Sequence, residues 1–482
     1  MVNKVKSIAV NLTTDLIEVE VDINNGLPSF TIVLPDQVQE SKERLRSALK
    51  SSAKLPASRI TVNLAPADIR KSPSFDFPIA VGILAEFDFL QELLENSIFL
   101  ELSLNDLRKV NSVLPATIAK EKIKNIFVPK ENAPEASVVP EIKVVEVENL
   151  KEAIEMLLRK DLVLAEKLDL KTLIRNEESK FDFKYIIQEH AKRALEIAAS
   201  HNIIMNPPSK TMLSKAFSTI LPDLTIEESI EISKIYSISL LSLDEPLITK
   251  RPFRTVHHTA SSVSIIRNAK PEISLAHKVL FLDEILEFQK PVLEVLRQPL
   301  EDQITVNRVN ASFTYPAKFI LVAMNPCPCF LTDPDKDCIC SPKQIQNYSS
   351  KLSPLIDRVD IFIEVPKVKT EAFSINEKYE NSETSKEIKQ RVEKSRQIQL
   401  ERFTTKITFN SEMSTKEINK YCQLDEESEE ILKQAVSMLS LSARSYYRIL
   451  KLARTIADLD SQKNIKKEHI LEALSFRKKE DS

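Results

Sequence analysis

HNIIMNPPSKTML (201–213) carries the reading of the fold. HNIIM (201–205) is a short apolar run of strand character, and Lys210-Thr211 follows it where a helix should begin. Lys-Thr at a strand-to-helix junction is how a phosphate-binding loop ends. Its lysine reaches the β- and γ-phosphates, and its hydroxyl ligates Mg²⁺. The full pattern is Gly-x-x-x-x-Gly-Lys-Thr, yet no glycine lies among Asn206, Pro207, Pro208 and Ser209. Taken alone, the segment reads equally as a polar helix cap after a strand.

The flanking sequence breaks that tie. KVLFLDE (278–284) is an apolar strand that delivers Asp283 and Glu284 at its C-terminal end, where ligands sit in open α/β sheets. Asp283 would hold the water shell of Mg²⁺, and Glu284 would polarise the attacking water. The plainer alternative is two acids capping the next helix. KFILVAMN (318–325) is another apolar strand, ending in Asn325, and DIFIEV (360–365) is a fourth. QEHAKRALEIAAS (188–200) has helical period, so strands alternate with helices as in a parallel α/β sheet. A lysine loop, an acidic strand and an asparagine strand in this order are rare by chance.

Three further regions surround this core. Residues 1–165 mix β-rich runs such as ITVNLAPA (60–67) with short helices, of which LKEAIEMLLRK (150–160) would close the domain. Residues 166–180 read as a charged linker and 181–372 as the α/β core with a Cys-rich insert at 327–340. From about 373 the β signal fades. SKEIKQRVEKSRQIQLERF (385–403), EESEEILKQAVSML (426–439), SARSYYRILKLARTIADL (442–459) and KKEHILEALSFR (466–477) make 373–482 an all-α unit.

Composition sets outer bounds. The 482 residues are 43% hydrophobic and 28% charged, a folded rather than disordered balance. No run approaches 18 apolar residues, and MVNKVKSIAVNLTTDLIEVEVDI (1–23) reads as a strand pair rather than a signal peptide, so the expected compartment is the cytoplasm. A net charge of −3 confines any nucleic-acid contact to local patches. Four of the five cysteines, Cys327, Cys329, Cys338 and Cys340, stand as C-x-C…C-x-C. In a reducing compartment that spacing favours tetrahedral Zn²⁺, with unligated thiols or a redox pair as alternatives. Cys422 reads as a buried small hydrophobe.

Several blocks together resemble one family. GLPSFTIV (26–33), QESKERLRSALKSS (39–52), ITVNLAPADIRK (60–71), SFDFPIAVGIL (74–84), EISLAHKVLFLDE (272–284), VLEVLRQPLED (292–302), AMNPCPC (323–329) and SARSYYRILKLARTIADL (442–459) are similar to the ComM/YifB family of magnesium-chelatase-like AAA+ ATPases. The resemblance implies a Lon-protease-like α+β domain, an AAA+ P-loop core and an all-α lid. By matched residue it makes Pro207, Pro208, Ser209, Lys210 and Thr211 the phosphate loop. Thr211 and Asp283 become the Mg²⁺ ligands, Glu284 the base and Asn325 the sensor. Arg358 becomes the arginine finger acting on a neighbouring subunit, and Arg444 the lid sensor. A surface or interdomain salt bridge is the alternative for both arginines. The resemblance also implies a ring, expected to be a hexamer, that drives DNA branch migration in recombination or natural transformation. A chelatase-type or protein-remodelling ATPase without DNA is the second reading. Arg251, Arg254, His257 and His258 in RPFRTVHHTASS (251–262), and Arg308 in a β-hairpin at 302–319, are the expected DNA contacts, through phosphate charge. Ser74 falls where the Lon fold keeps its nucleophile. The matching base position holds Pro115 rather than lysine, which leaves the serine without activation.

Glycine is nearly absent: Gly26 and Gly82 are the only two, where usage near 7% would give about 34. The family reads GPPGSGKT where this chain reads NPPSKT (206–211), IVGLPD where it reads IVLPD (32–36), and NPCPCG where it passes from Cys329 to Phe330. The neighbours keep their order while the glycines drop out, whereas substitution would leave another residue in each place. We therefore expect a gene in which a reassigned codon specifies glycine and those positions are skipped in the written chain. Sequencing the gene across codons 200–215 should show extra codons between Ser209 and Lys210, and contiguous codons there refute the idea.

Overall fold

The computed structural model describes residues 2–10, 14–33, 45, 58–65, 75–84, 97–99, 123–139, 141–148, 150–159, 161–167, 181–206, 210–238, 246–267, 273, 276, 279–297, 300, 303–308, 311–316, 319–325, 339–356, 358–365, 382–403, 409–439 and 441–477. Ser74 and Pro115, the peptidase positions, lie outside them, as do Pro207, Pro208, Ser209 and most of the expected linker. The chain divides into two compact units. The first joins residues 1–175 to 225–249, and the second joins 176–224 to 250–482.

In the first unit, β1 (Val2–Val10) and β2 (Thr14–Asn24) pair antiparallel, as the N-terminal pattern predicts. Val5, Ile17, Val19 and Val21 are buried, while Lys4 bridges Glu18 and Glu20 on the opposite face. With β3 (Ser29–Val33) and β4 (Arg59–Ala65) they form a sheet in the order β1-β2-β4-β3. Helix α1 (Asp76–Leu84) lies on it, and Gly82 is required there: a Cβ would meet Val21 Cγ2 at 2.5 Å. A parallel trio, β5 (Ser97–Phe99), β6 (Asn125–Pro129) and β7 (Lys143–Val147), follows with α2 (Leu150–Arg159). Phe77, Phe99 and Phe127 pack ring against ring between these layers. Residues 225–249 join this unit through polar and apolar ties. Ser237 Oγ donates to Glu135 at 2.7 Å, and Leu247 packs with Val138.

The second unit is built on five parallel strands. These are β8 (Ile203–Asn206), β9 (Phe253–Val256), β10 (Val279–Leu282), then, after the antiparallel hairpin β11 (Gln303–Arg308) and β12 (Ala311–Pro316), β13 (Ile320–Met324) and β14 (Ile361–Glu364). Their order is β14-β8-β13-β10-β9. VLFL and ILVAM are fully buried, which is why these strands read as continuous apolar runs rather than alternating ones. Sequence reasoning did not anticipate β9, because FRTV has no apolar run to mark it. Helices α3 (Glu189–Ala198) and α4 (Lys210–Ile220) join the same core.

The C-terminal helices are α5 (Ser385–Arg402), α6 (Glu426–Met438), α7 (Ala443–Leu459) and α8 (Lys467–Ser475), with a shorter helix at Thr415–Tyr421. They share one hydrophobic core with the sheet, from Ile203, Val322 and Ile361 to Val392, Ile449, Ile456 and Ile470. Their starts are fixed chemically. Thr384 and Glu387 form a capping box, Asp425 accepts from Ser428 N, and Ser442 accepts from Ser445 N. Phe362 N donates to Phe476 O at 2.7 Å, so the residue ending α8 covers part of the outer edge of β14.

Helix α7 ends in a Schellman turn: Gln462 N donates to Ala457 O at 2.7 Å and Ser461 N to Asp458 O at 3.0 Å. Ser461 holds the left-handed position at φ 56°, a place where glycine carries no Cβ penalty. Ser461→Gly should therefore stabilise the protein by about 1 kcal/mol. Urea unfolding should show a raised midpoint at unchanged slope, and an unmoved midpoint would refute the strain at this turn.

Candidate functional site at the carboxyl edge of the parallel sheet

Strand register brings the chemistry together. Leu282 stands opposite Ala323 and Val256, and Met324 opposite Met205. One residue further on, His258, Glu284, Asn325 and Asn206 continue the same rows within a residue or two of the carboxyl edge. Lys210 and Thr211 open α4 four residues beyond the end of β8, and the first N–H groups of a helix have no intrahelical partner.

Individual atoms support a triphosphate site. Asp283 and Glu284 are both half-buried. Glu284 takes a left-handed backbone at φ 53°, one of two non-glycine residues with positive φ among the described residues. That conformation costs about 1–2 kcal/mol and turns the chain sharply at the strand end. His258 Nδ1 stands 3.6 Å from Glu284 Oε2. The backbone N–H of Asn325 donates to Met205 O at 2.8 Å, locking β13 to β8. The side-chain Oδ1 of Asn325 is buried and has no hydrogen-bond partner among the described residues. A buried acceptor lacking a protein donor, beside two carboxylates and a helix N-terminus, suits a bound water next to Mg·ATP.

The two arginines lie elsewhere. Arg358 precedes β14, at the amino edge of the sheet. It is 9% exposed, and its Nε donates to Arg297 O at 3.2 Å. Arg444 is exposed near the start of α7. Its neighbour Ser445 accepts from Arg477, which also donates to Val359 O at 3.2 Å. Both arginines therefore belong to the edge opposite the Lys210 loop. Between them lies a buried polar cluster that the sequence reading did not single out. Asp360 receives Arg448 at 2.9 Å and Asn202 N at 3.2 Å, and His201 Nδ1 stands 3.4 Å away. Burial pushes the Asp360 carboxyl pKa up, but Arg448, His201 and the Asn202 amide outweigh it and hold it well below the usual carboxylate range. Its charge thus stabilises the fold above the ordinary carboxylate pKa, and that contribution fades as pH falls toward the depressed value.

Comparison with known proteins now decides the family. A profile described as "Magnesium chelatase, subunit ChlI" matches residues 182–373. Its C-terminal counterpart matches 382–477, and "Subunit ChlI of Mg-chelatase" matches 19–132. The chain is 41% identical to Competence protein ComM of Haemophilus influenzae, over 96% of this chain and 94% of that protein. It is 37% identical to the uncharacterized protein YifB of Escherichia coli, over 97% and 95%. It is 36% identical to the uncharacterized protein Mb2921c of Mycobacterium bovis, over 98% and 97%. The chain belongs to the ComM/YifB family of magnesium-chelatase-like AAA+ proteins. For this family the implied ligands are ATP and Mg²⁺, and the carboxyl-edge residues fit them.

Within the family frame, the other expected site residues fall variously. Arg251 is engaged structurally, donating to Pro222 O at 2.9 Å and Asp223 O at 3.4 Å. Arg254 is half-buried on β9, and His257 is exposed and paired with Thr259. His258 faces Glu284 rather than the exposed patch expected for it. Arg308 ends β11, opposite Ala311. Cys327, Cys329 and Cys338 lie outside the described residues, and Cys340 is half-buried. Among the described residues no group of three or more His, Cys, Asp or Glu is placed to hold a metal. No helix there is long and apolar enough to cross a membrane.

Cys422 is buried, and burial pushes its thiol up to about 12. At pH 8 iodoacetamide should leave Cys422 unmodified in the native protein and label it after denaturation. Native labelling of Cys422, mapped by peptide mass spectrometry, would contradict the packing described.

Proposed function

We propose that the protein is a Mg²⁺-dependent ATPase that works as a ring, with each ATP held between two copies, and that it moves DNA branches during recombination or natural transformation. The observation that carries the proposal is the split of the machinery across the sheet. Asp283, Glu284 and Asn325 stand at one edge, beyond which α4 opens with Lys210, while Arg358 precedes β14 at the other. A strand rises about 3.3 Å per residue, so β14 itself separates Arg358 from the phosphate edge of its own chain. A guanidinium so placed meets a triphosphate only on another copy, where it offsets charge on the transferring phosphoryl group. A hexamer is the expected closure.

The roles follow. The Lys210 ammonium and the N-terminus of α4 grip the phosphates, Thr211 and Asp283 hold Mg²⁺, Glu284 takes a proton from the attacking water, and Asn325 Oδ1 orients that water. Magnesium, when bound, would neutralise charge on the phosphates. Similarity to a competence protein supports DNA as the track. Arg308 at the hairpin end, with Arg254, supplies cations, and His257 a hydrogen-bonding ring, to meet phosphates without reading bases. The magnesium-chelatase profiles favour the second reading, a protein- or cofactor-remodelling ATPase. Zinc at Cys327, Cys329, Cys338 and Cys340 is proposed from the C-x-C…C-x-C spacing. A chelator should expose these four thiols to iodoacetamide.

Protein expressed from the authentic gene should hydrolyse ATP. Glu284→Gln should lower kcat by about 10²–10³ while leaving ATP binding intact, and Lys210→Ala should abolish binding. Forked DNA should stimulate the wild-type rate. Absence of stimulation favours the remodelling reading, and a Lys210→Ala variant as active as wild type sinks the ATPase assignment.

A further inference from the structure

The amino edge of the sheet holds a joint that the ATPase scheme does not use. Asp360 follows Arg358 by two residues and is 6% exposed. Its carboxylate takes Arg448 of α7, one helical turn beyond Arg444, at 2.9 Å. His201, at the start of β8, stands 3.4 Å from Asp360 on one ring nitrogen and 2.8 Å from Thr455 of α7 on the other. Asn202 completes the strand side: its Oδ1 accepts from Leu321 N at 2.8 Å, and its backbone O accepts from Asp360 N at 3.1 Å. A second tie runs parallel, where Arg477 reaches Val359 O and Ser445 Oγ.

We infer that Asp360 is a positioning residue that fastens helix α7 to the start of β14, so that Arg358 and Arg444 ride on one rigid frame. This rests on the finger role proposed above for Arg358 and on the sensor role that the resemblance implies for Arg444. The chemistry of the joint explains why a charge sits in a buried place. An apolar contact would let α7 slide or rotate over the sheet edge. A carboxylate that receives a guanidinium, an imidazole and a backbone N–H has one arrangement that satisfies all its partners. The separation between Arg358 and Arg444 is thereby fixed within one chain. A neighbouring copy's triphosphate would meet both guanidinium groups as a preset pair, and a shift of about 1 Å in such a pair costs up to 10²-fold in rate.

Two variants test this, Asp360→Asn and Arg448→Gln, the second sparing the buried carboxylate its His201 and Asn202 contacts if the first folds poorly. Hydrogen exchange of the full chain reads the joint without any ATPase assumption. Peptides spanning 353–362 and 443–452 should both exchange at least about tenfold faster in Arg448→Gln, while peptides of β10 and β13 stay at wild-type rates. Steady-state kinetics then read the positioning: kcat for ATP should fall about tenfold, with KM changed less than twofold. Loosening confined to 443–452, or a folded Arg448→Gln with wild-type kcat in an active ATPase, overturns the inference. Coupled loosening in a protein that never hydrolyses ATP instead keeps the frame and discards the ATPase reading.

Discussion

The parallel register of β8, β13, β10 and β9 is the constraint on which the rest depends. β8, β10 and β13 are short and apolar on both faces, so their polar outlets are at their ends. Burial of VLFL and ILVAM is worth about 1.5–3 kcal/mol per side chain, an upper range that falls once compact unfolded states are considered. A slip of one position would cost more than packing. It would separate Glu284 from His258 and Asn325, because each is placed by counting residues from a paired strand. Site geometry is here a by-product of hydrophobic registry.

A second consequence of parallel topology is polarity. All five strands run the same way, so the sheet has one edge where chains leave toward helix N-termini and one where they arrive. Acids, asparagines and the lysine loop collect at the first. Asp360, His201 and the arginines collect at the second, where α7 and α8 pack. The two edges of one sheet thus carry different chemistry, carboxylates and side-chain amides at one and guanidinium groups at the other.

Much of this was legible in the chain. Continuous apolar runs ending in Asp283 or Asn325, alternating with helical segments, announce buried parallel strands. Amphipathic period announced α3, α5, α6, α7 and α8, and Thr384, Asp425 and Ser442 mark three of their starts. What stayed hidden was three-dimensional adjacency. FRTV lacks a pattern of its own and is a strand because β10 pairs with it, which also moved His258 from an imagined patch to Glu284. His201, Asp360 and Arg448 are separated by more than 80 residues of sequence each and have no motif linking them. Arg251 looked available for DNA, yet its partners are backbone carbonyls, invisible to any reading of side-chain types.

The hydrogen bond from Phe362 to the carbonyl of Phe476 bears on how the molecule is made. Synthesis proceeds from the amino end, so β14 leaves the ribosome more than 110 residues before the segment that shields its open flank. During that interval the nascent sheet presents bare amide groups able to pair with any passing chain. The segment around Phe476 therefore closes that flank late in synthesis, and premature pairing is a hazard throughout the wait.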